Sequence, residues 1–479
     1  MKNMKKFICM ALVFVMAFGL VACNGSKTDK DGNITLTWMI PLSEQPDEEM
    51  VEAAINEITQ KEIGVSVDLI CIDGSAYQER MNMNMASGKD FDLCFTGYVN
   101  KYQDAVYNGG LLELDELLKN EAPGLVESMP EYAWEVAKMN GKIYAVPNLQ
   151  GFAPPTSVWF FKDLTDKYGF DPASITHIED CEPYFEQLKK NEPNIIPFRV
   201  DYGVQHWVVP VWERITNGIV IRSDGSSPKV EIEFDVPEYK EGMAKLYEWY
   251  KKGYIRSDLI SAVSEEAEFK AGKFAAHGSG WLPGAEATQQ EIYGREVAIT
   301  PIMEPYMTKA LSVAAMTGIG RNCKNPEKAI KLIELVNTNE KLLNLLCLGI
   351  EGKHYNLDEN GKYVLAENNG YVTPGAWLFG NQFMQILAQG QADDVWEQTE
   401  KMNLDAKVSP IIGFVLDTDP IKNEISQVAA VTAEFSGKSQ IVCGYSNYDE
   451  MMAKLKEAGI YKLRDEVQKQ IDAYWAENH

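Results

Sequence analysis

Two periods of hydrophobic and polar positions alternate along this chain, behind a short apolar leader. Lys2, Lys5 and Lys6 are followed by an uncharged apolar stretch over residues 7–22. A positive start and an apolar stretch shorter than the roughly 20 residues of a spanning helix predict a secretory signal peptide over residues 1–22. Residues 23–33 are polar and rich in Gly, Ser, Lys and Asp, the composition of a flexible tether. Residues 34–40 alternate and carry Thr, Ile and Trp, which predicts a strand. Met50, Val51, Ala54, Ile55 and Ile58 fall at helical spacing. Gly64 ends that helix, and residues 65–72 predict a second strand. Residues 77–87 predict a helix, 91–96 a strand, 111–119 a helix and 142–146 a short strand. This cadence predicts an α/β domain with a mostly parallel sheet. Ligands of such sheets bind beyond the carboxyl ends of the strands. The loops after Ile40, Ile72 and Phe95 are therefore candidate positions.

Residues from 151 to about 296 read as a second unit of the same class. Residues 239–252 and 265–272 predict helices, and 297–302 a strand. Asn325, Pro326 and Glu327 supply an N-cap, a proline in the first turn and an acid at the positive end of the next helix. Residues 354–365 predict a hairpin around Asp358-Glu359-Asn360-Gly361. That run lacks the twelve-residue pattern and terminal Glu of a calcium loop, and Asp29-Lys30-Asp31-Gly32 lacks it too. The last sixty or so residues are helical, with Ile460, Leu463, Val467, Ile471 and Tyr474 on one face.

At 479 residues, the chain exceeds what one core usually supports. Its net charge of −25 argues against nucleic acid and anionic lipid as electrostatic partners. Beyond Cys9 and Cys23, six cysteines remain at 71, 94, 181, 323, 347 and 443, none in a CxxC pair. Buried free thiols fit them better than a disulfide framework or a metal site. The histidines show no zinc-ligand spacing, and GxSxG, Walker and zincin motifs are absent. No cofactor or catalytic residue is expected, although plentiful carboxylates leave a glycosidase pair formally open.

The ten tryptophans stand out. Trp134, Trp249 and Trp475 lie in predicted helices. Trp159, Trp207, Trp212, Trp281 and Trp377 lie near Gly, Pro or short polar loops, and Trp38 near the end of the first strand. Indoles stack on the flat C–H faces of sugar rings, and aromatic walls with a few fixed polar groups form small-molecule sites.

Several stretches together resemble the extracellular solute-binding proteins, family 1, of bacterial ABC importers, many of which bind sugars. Leu20-Val21-Ala22-Cys23 resembles a lipobox, which implies cleavage before Cys23 and a lipid on that cysteine. Met85-Ala86-Ser87-Gly88-Lys89-Asp90-Phe91-Asp92-Leu93 is similar to the family's segment entering a strand. Gly141-Lys142-Ile143-Tyr144-Ala145-Val146-Pro147 is similar to its crossover to the second lobe. Phe269-Lys270-Ala271-Gly272-Lys273-Phe274-Ala275-Ala276 followed by Trp281, and Asn325-Pro326-Glu327-Lys328-Ala329, match two further segments. Gly349-Ile350-Glu351-Gly352-Lys353-His354-Tyr355 and the region from Gly413 resemble one lipoprotein subgroup. Ala275-Ala276-His277 departs from the family, which often has Met there.

The resemblance implies an α/β, two-lobed periplasmic-binding-protein-like (type II) fold with an interlobe cleft and a helical C-terminal region. Lobe 1 is expected from residues 34–149 plus about 297–345. Lobe 2 is expected from 150–296 plus about 346–412, and the helical region from 413–479. The crossovers near 144–150 and 297–303 would carry a hinge that closes on the solute. Trp281 is carried over from the family as a stacking platform. Loop position adds Glu44 and Gln45, then Thr96 and Tyr98, with Gln150, Trp159, Arg199 and Trp377 facing from the second lobe. The expected protein is a monomeric binding lipoprotein, anchored through Cys23 on the outer face of the cell membrane. It would deliver a sugar or oligosaccharide to an ABC permease. The same residues fit a peptide or other small solute as cargo, a surface-anchored carbohydrate-active enzyme, or a sensor or adhesin.

Overall fold

The computed structural model describes residues 28–30, 32–89, 91–200, 211–262 and 265–478. The predicted leader, Cys23, most of the tether, Asp90 and Trp207 lie outside the described residues. The first strand, Ile34–Ile40, pairs in parallel with Val65–Cys71 on one side and with Leu93–Gly97 on the other. Helix Glu48–Ile63 makes the first return. Its acids at 48 and 49 and its Lys61 suit the helix dipole, and Gly64 ends it at φ 64°. Ala315–Ile319 then runs antiparallel to both Leu93–Gly97 and Ala145–Pro147. Four of the five strands run the same way, as the cadence predicts, and Ala315–Ile319 is the reversed one. Leu93–Gly97 ends at the interlobe side, whereas Ala315–Ile319 enters from there, so the two must run in opposite directions.

The second sheet has Thr156–Phe161 at its centre, antiparallel to both Phe274–Gly280 and Val297–Pro301. Ile196–Arg199 lies parallel beyond Phe274–Gly280. A three-stranded antiparallel ribbon adds Trp212–Thr216, Ile219–Arg222 and Glu231–Ile232. Each sheet has its own apolar core: Leu36, Phe95 and Ile330 lie in the first, and Phe160, Phe185 and Trp249 in the second. The C-terminal helices bury Val428, Leu455, Leu463, Val467 and Ile471 in the second core. Tyr474 packs against Phe414 at 5.6 Å.

The cores divide the chain differently from the pattern-based boundaries. Leu346, Cys347, Tyr371, Leu378, Phe379 and Ala406 belong to the first core, so these residues pack with lobe 1 rather than with lobe 2. The reason is continuity. Helix Glu340–Leu348 follows at once on Pro326–Thr338, and the Tyr371 hydroxyl donates to Leu346 O at 2.9 Å. Conversely, Val297–Pro301 belongs to lobe 2 through its pairing with Thr156–Phe161. The Gly349–Tyr355 motif works locally. Buried His354 accepts the Ile350 N–H through Nδ1 at 2.8 Å and turns Nε2 to Asp47 at 3.3 Å, beside the Lys353–Asp47 ion pair at 2.7 Å. It thereby ties the segment after Leu348 to the start of helix Glu48–Ile63.

The chain passes between lobes three times, at 148–155, 302–314 and 406–411. The second passage follows strand Val297–Pro301 rather than coinciding with it. The second and third passages pair in parallel as Tyr306–Met307 and Lys407–Val408. Glu213 of the lobe 2 ribbon joins them: its carboxylate accepts the Lys309 N–H at 3.3 Å and the Ser409 hydroxyl. The Lys309 ammonium donates to Phe414 O at 3.2 Å and Lys138 O at 3.5 Å. Both side chains are buried. Burial pushes the Glu213 carboxyl up to about 7 and the Lys309 ammonium down to about 8.

A carboxyl whose folded pKa exceeds its unfolded value binds more protons in the native state. Its stabilisation is complete below the unfolded pKa and is lost as pH rises through the folded one. Glu213→Gln should therefore gain stability relative to the parent by roughly 2–3 kcal/mol as pH rises from about 4.5 to above 7. Denaturant melts at the two ends of that window measure it, and a pH-independent difference would show that Glu213 does not titrate there.

Candidate functional site

A cavity of about 600 Å³ lies between the lobes. Lobe 2 supplies Trp159, residues 279–283 and helix Ala285–Tyr293 as one wall; residues from 347–348, 363–377 and 382–399 supply the other. Trp377 is fixed by a short 3-10 turn, Ala376–Leu378, and its Nε1 donates to Pro374 O at 2.9 Å. Its carbonyl accepts from Asn148 Nδ2 at 2.8 Å, and the Asn148 amide oxygen accepts from Thr317 at 3.1 Å. The first passage between lobes thus holds the aromatic wall. Tyr98 lies beside Trp377, ring centroids 6.0 Å apart, and Phe95 meets Trp377 edge-on at 6.4 Å.

Gly97 makes that placement possible. At φ 148° it brings the chain so near the next strand that a Cβ would lie 2.0 Å from Ala314 O, which accepts the Tyr98 N–H at 2.8 Å. Gly284, at φ 80°, offers its carbonyl across the cleft to Gln391 Nε2 at 3.3 Å.

Of the residues singled out in the sequence, Trp159 and Trp377 line the cavity together, though Trp377 comes from the lobe 1 side rather than from lobe 2. Trp159 sits in a central strand, not near a loop. Trp281 stands just off the wall that its neighbour Leu282 forms; its Nε1 donates to Glu286 at 3.1 Å. Glu44 is exposed, and Gln45 accepts the N–H of the wall residue Val372 at 2.8 Å. Thr96 is buried and donates to Asn100 O at 2.6 Å, so its hydroxyl is committed within lobe 1. The Gln150 carbonyl accepts from Asn403 at 2.7 Å. Arg199 lies over the Phe269 ring at 5.3 Å, inside lobe 2.

The polar wall was not foreseen. Gln289, Gln382, Gln385, Gln391 and Trp396 all line the cavity. Gln385 Oε1 accepts the Ala376 N–H at 2.9 Å, and its carbonyl accepts from Trp396 Nε1 at 2.9 Å. Among the described residues, Gln289 and Gln382 have no side-chain partner, and the buried Trp159 Nε1 has no acceptor. The described lining includes one charged residue, Lys270, and no carboxylate. The signal was present as glutamines at 382, 385, 389 and 391 in one irregular stretch.

Residues 410–476 match a domain of unknown function, DUF3502. The chain is 30% identical over 503 aligned positions, 99% of each sequence, to a carbohydrate ABC transporter substrate-binding protein of Streptococcus pneumoniae serotype 4. The chain belongs to that family. It is an extracytoplasmic binding subunit that captures a sugar or oligosaccharide for import through an ABC permease. The fold agrees. The crystal structure of the N-glycan transport solute-binding protein NgtS from Streptococcus pneumoniae superposes with a TM-score of 0.84 at 26% identity, covering 93% of this chain and 100% of that one. Its complex with Man5GlcNAc superposes with a TM-score of 0.77 at 27% identity, covering 93% and 99%. Family members are binding proteins rather than enzymes.

Gly97→Ala should lower the unfolding free energy by about 1–3 kcal/mol, because the added methyl cannot coexist with Ala314 O. Chemical denaturation measures this; parent-like stability would show that the turn relaxes without strain.

Proposed function

We propose that the cargo is a neutral oligosaccharide carrying N-acetylhexosamine, bound in the interlobe cavity and enclosed by hinge closure. One observation carries this reading: the described wall offers the amides of Gln289 and Gln382, which have no side-chain partner, and no carboxylate. An N-acetyl group presents one C=O and one N–H, which a glutamine amide matches with its own donor and acceptor. Trp377 and Trp396 supply flat apolar faces for the sugar rings. A free amine would find no counter-charge among the described lining residues, which disfavours basic peptides. The NgtS complexes with Man1GlcNAc and Man5GlcNAc support the same class of cargo. The protein is held to the membrane by a lipid on Cys23, a reading supported by the leader and lipobox-like residues.

The test is a thermal-shift and calorimetry screen of residues 24 onward against acetylated oligosaccharides and their deacetylated counterparts, with product analysis on the same samples. Acetylated ligand at a hundred times its Kd should add about 2.7 kcal/mol of stability. Deacetylation should weaken binding, and the sugar should be recovered intact. No binding by acetylated sugars, or cleavage of them, would overturn the proposal.

A further inference from the structure

A second cavity, about 310 Å³, opens on the other side of Tyr98. Three parts of the fold meet around it: helix Tyr102–Tyr107 of lobe 1, strand Trp212–Thr216 of lobe 2, and residues 411–416 at the start of the DUF3502 region. Tyr98 is 59% exposed and lines this cavity, while its neighbour Trp377 lines the first one. The two cavities therefore flank a single aromatic pair, and a chain leaving the first across Trp377 meets Tyr98 next.

The chemistry of this second space suits a sugar ring. Phe414 and Leu416 give it an apolar side. Glu213, only 7% exposed, also lines it. When ionised, its carboxylate has about four acceptor positions, and the Lys309 N–H and the Ser409 hydroxyl occupy two of them. Acceptor capacity is left for ligand hydroxyls. Asp104 stands exposed at the rim, where it can meet further hydroxyls, and Arg214 beside it is held to Glu233 through Nε and Nη2. The volume is at the lower end of small-molecule sites, a size for the end of a chain rather than the whole of it.

We propose that this second cavity is a sugar subsite, with the first residues of the DUF3502 region as one of its walls, and that it makes longer chains bind more tightly than short ones. The inference rests on the oligosaccharide reading above. It gives the C-terminal region a role in binding: its helices bury their apolar faces in the lobe 2 core and hold residues 411–416 against the site.

The experiment fills the cavity from opposite walls. Ala310 is exposed and lines it from the second passage, and Gln103 lines it from helix Tyr102–Tyr107. Ala310→Trp and Gln103→Trp are each made in the full mature protein and checked by thermal melting. Affinity is measured by calorimetry for a ladder of neutral N-acetylhexosamine- and mannose-containing oligosaccharides, from disaccharide to hexasaccharide. The parent should bind the hexasaccharide at least tenfold more tightly than the disaccharide. Both variants should lose at least tenfold for the hexasaccharide and stay within twofold for the disaccharide. A parent with no length preference, or variants that keep the parental ratio, would overturn the second subsite while leaving the cargo reading intact. A parent that binds no member of the ladder would remove the cargo reading, and this inference with it.

Discussion

Lys309 and Glu213 are ionisable groups buried where the two lobes, the passages between them and the C-terminal region meet. A charge taken out of water must find partners, and breaking such an arrangement costs several kcal/mol. Lys309 takes backbone carbonyls from Lys138 in lobe 1 and Phe414 in the C-terminal region. Glu213 of lobe 2 takes the Lys309 N–H and the Ser409 hydroxyl from the two paired passages. Separating the lobes at this point would strand both groups. The pivot is therefore set by polar contacts, while each lobe is held by its own apolar core.

Because the cores are separate, the gap between them remains a cavity. Its wall residues are oriented by contacts within one lobe or along a passage. Asn148, buried at the start of the first passage, is bonded at once to Thr317 in the lobe 1 sheet and to the Trp377 carbonyl. Trp159 is held as part of a central strand, with its ring 5.1 Å from His277. These side chains are rigid before ligand arrives, which reduces the ordering cost of binding. The unpaired Trp159 N–H is the other face of that rigidity: the strand cannot move the indole to another acceptor.

Local pattern made much of the fold legible. Alternation marked Ile34–Ile40, and Asn325-Pro326 marked the start of Pro326–Thr338. The hairpin at Tyr355–Leu357 and Tyr363–Leu365 was read from its turn residues. What local pattern does not contain is which core an apolar face joins. The residues around Tyr371 and Phe379 look the same whichever lobe they serve, and only their packing on helix Glu340–Leu348 decides it. The site was legible to the same extent. Trp377 stood out because an indole beside Gly375 and Pro374 is unusual in a core. Thr96 was singled out by loop position, yet the sharp turn at Gly97 points the next residue, Tyr98, outward and leaves Thr96 inside. The glutamines escaped notice because amides carry no charge and no motif, so nothing but their convergence reveals them.

The C-terminal region brings the site and the pivot together. Phe414 does two things at once: its carbonyl holds the Lys309 ammonium, and it lines the cavity beside Tyr98. Glu213 likewise faces that cavity while tying the two passages. Whatever occupies the space touches atoms that set the relation between the lobes. A ligand shifts a conformational equilibrium only by its difference in affinity for the two states. On the closure proposed above, such a difference would come from contacts here that differ between the open and closed states. The long C-terminal helix, packed into the lobe 2 core through Leu463, Val467 and Ile471, then serves to keep Phe414 in register with that pivot.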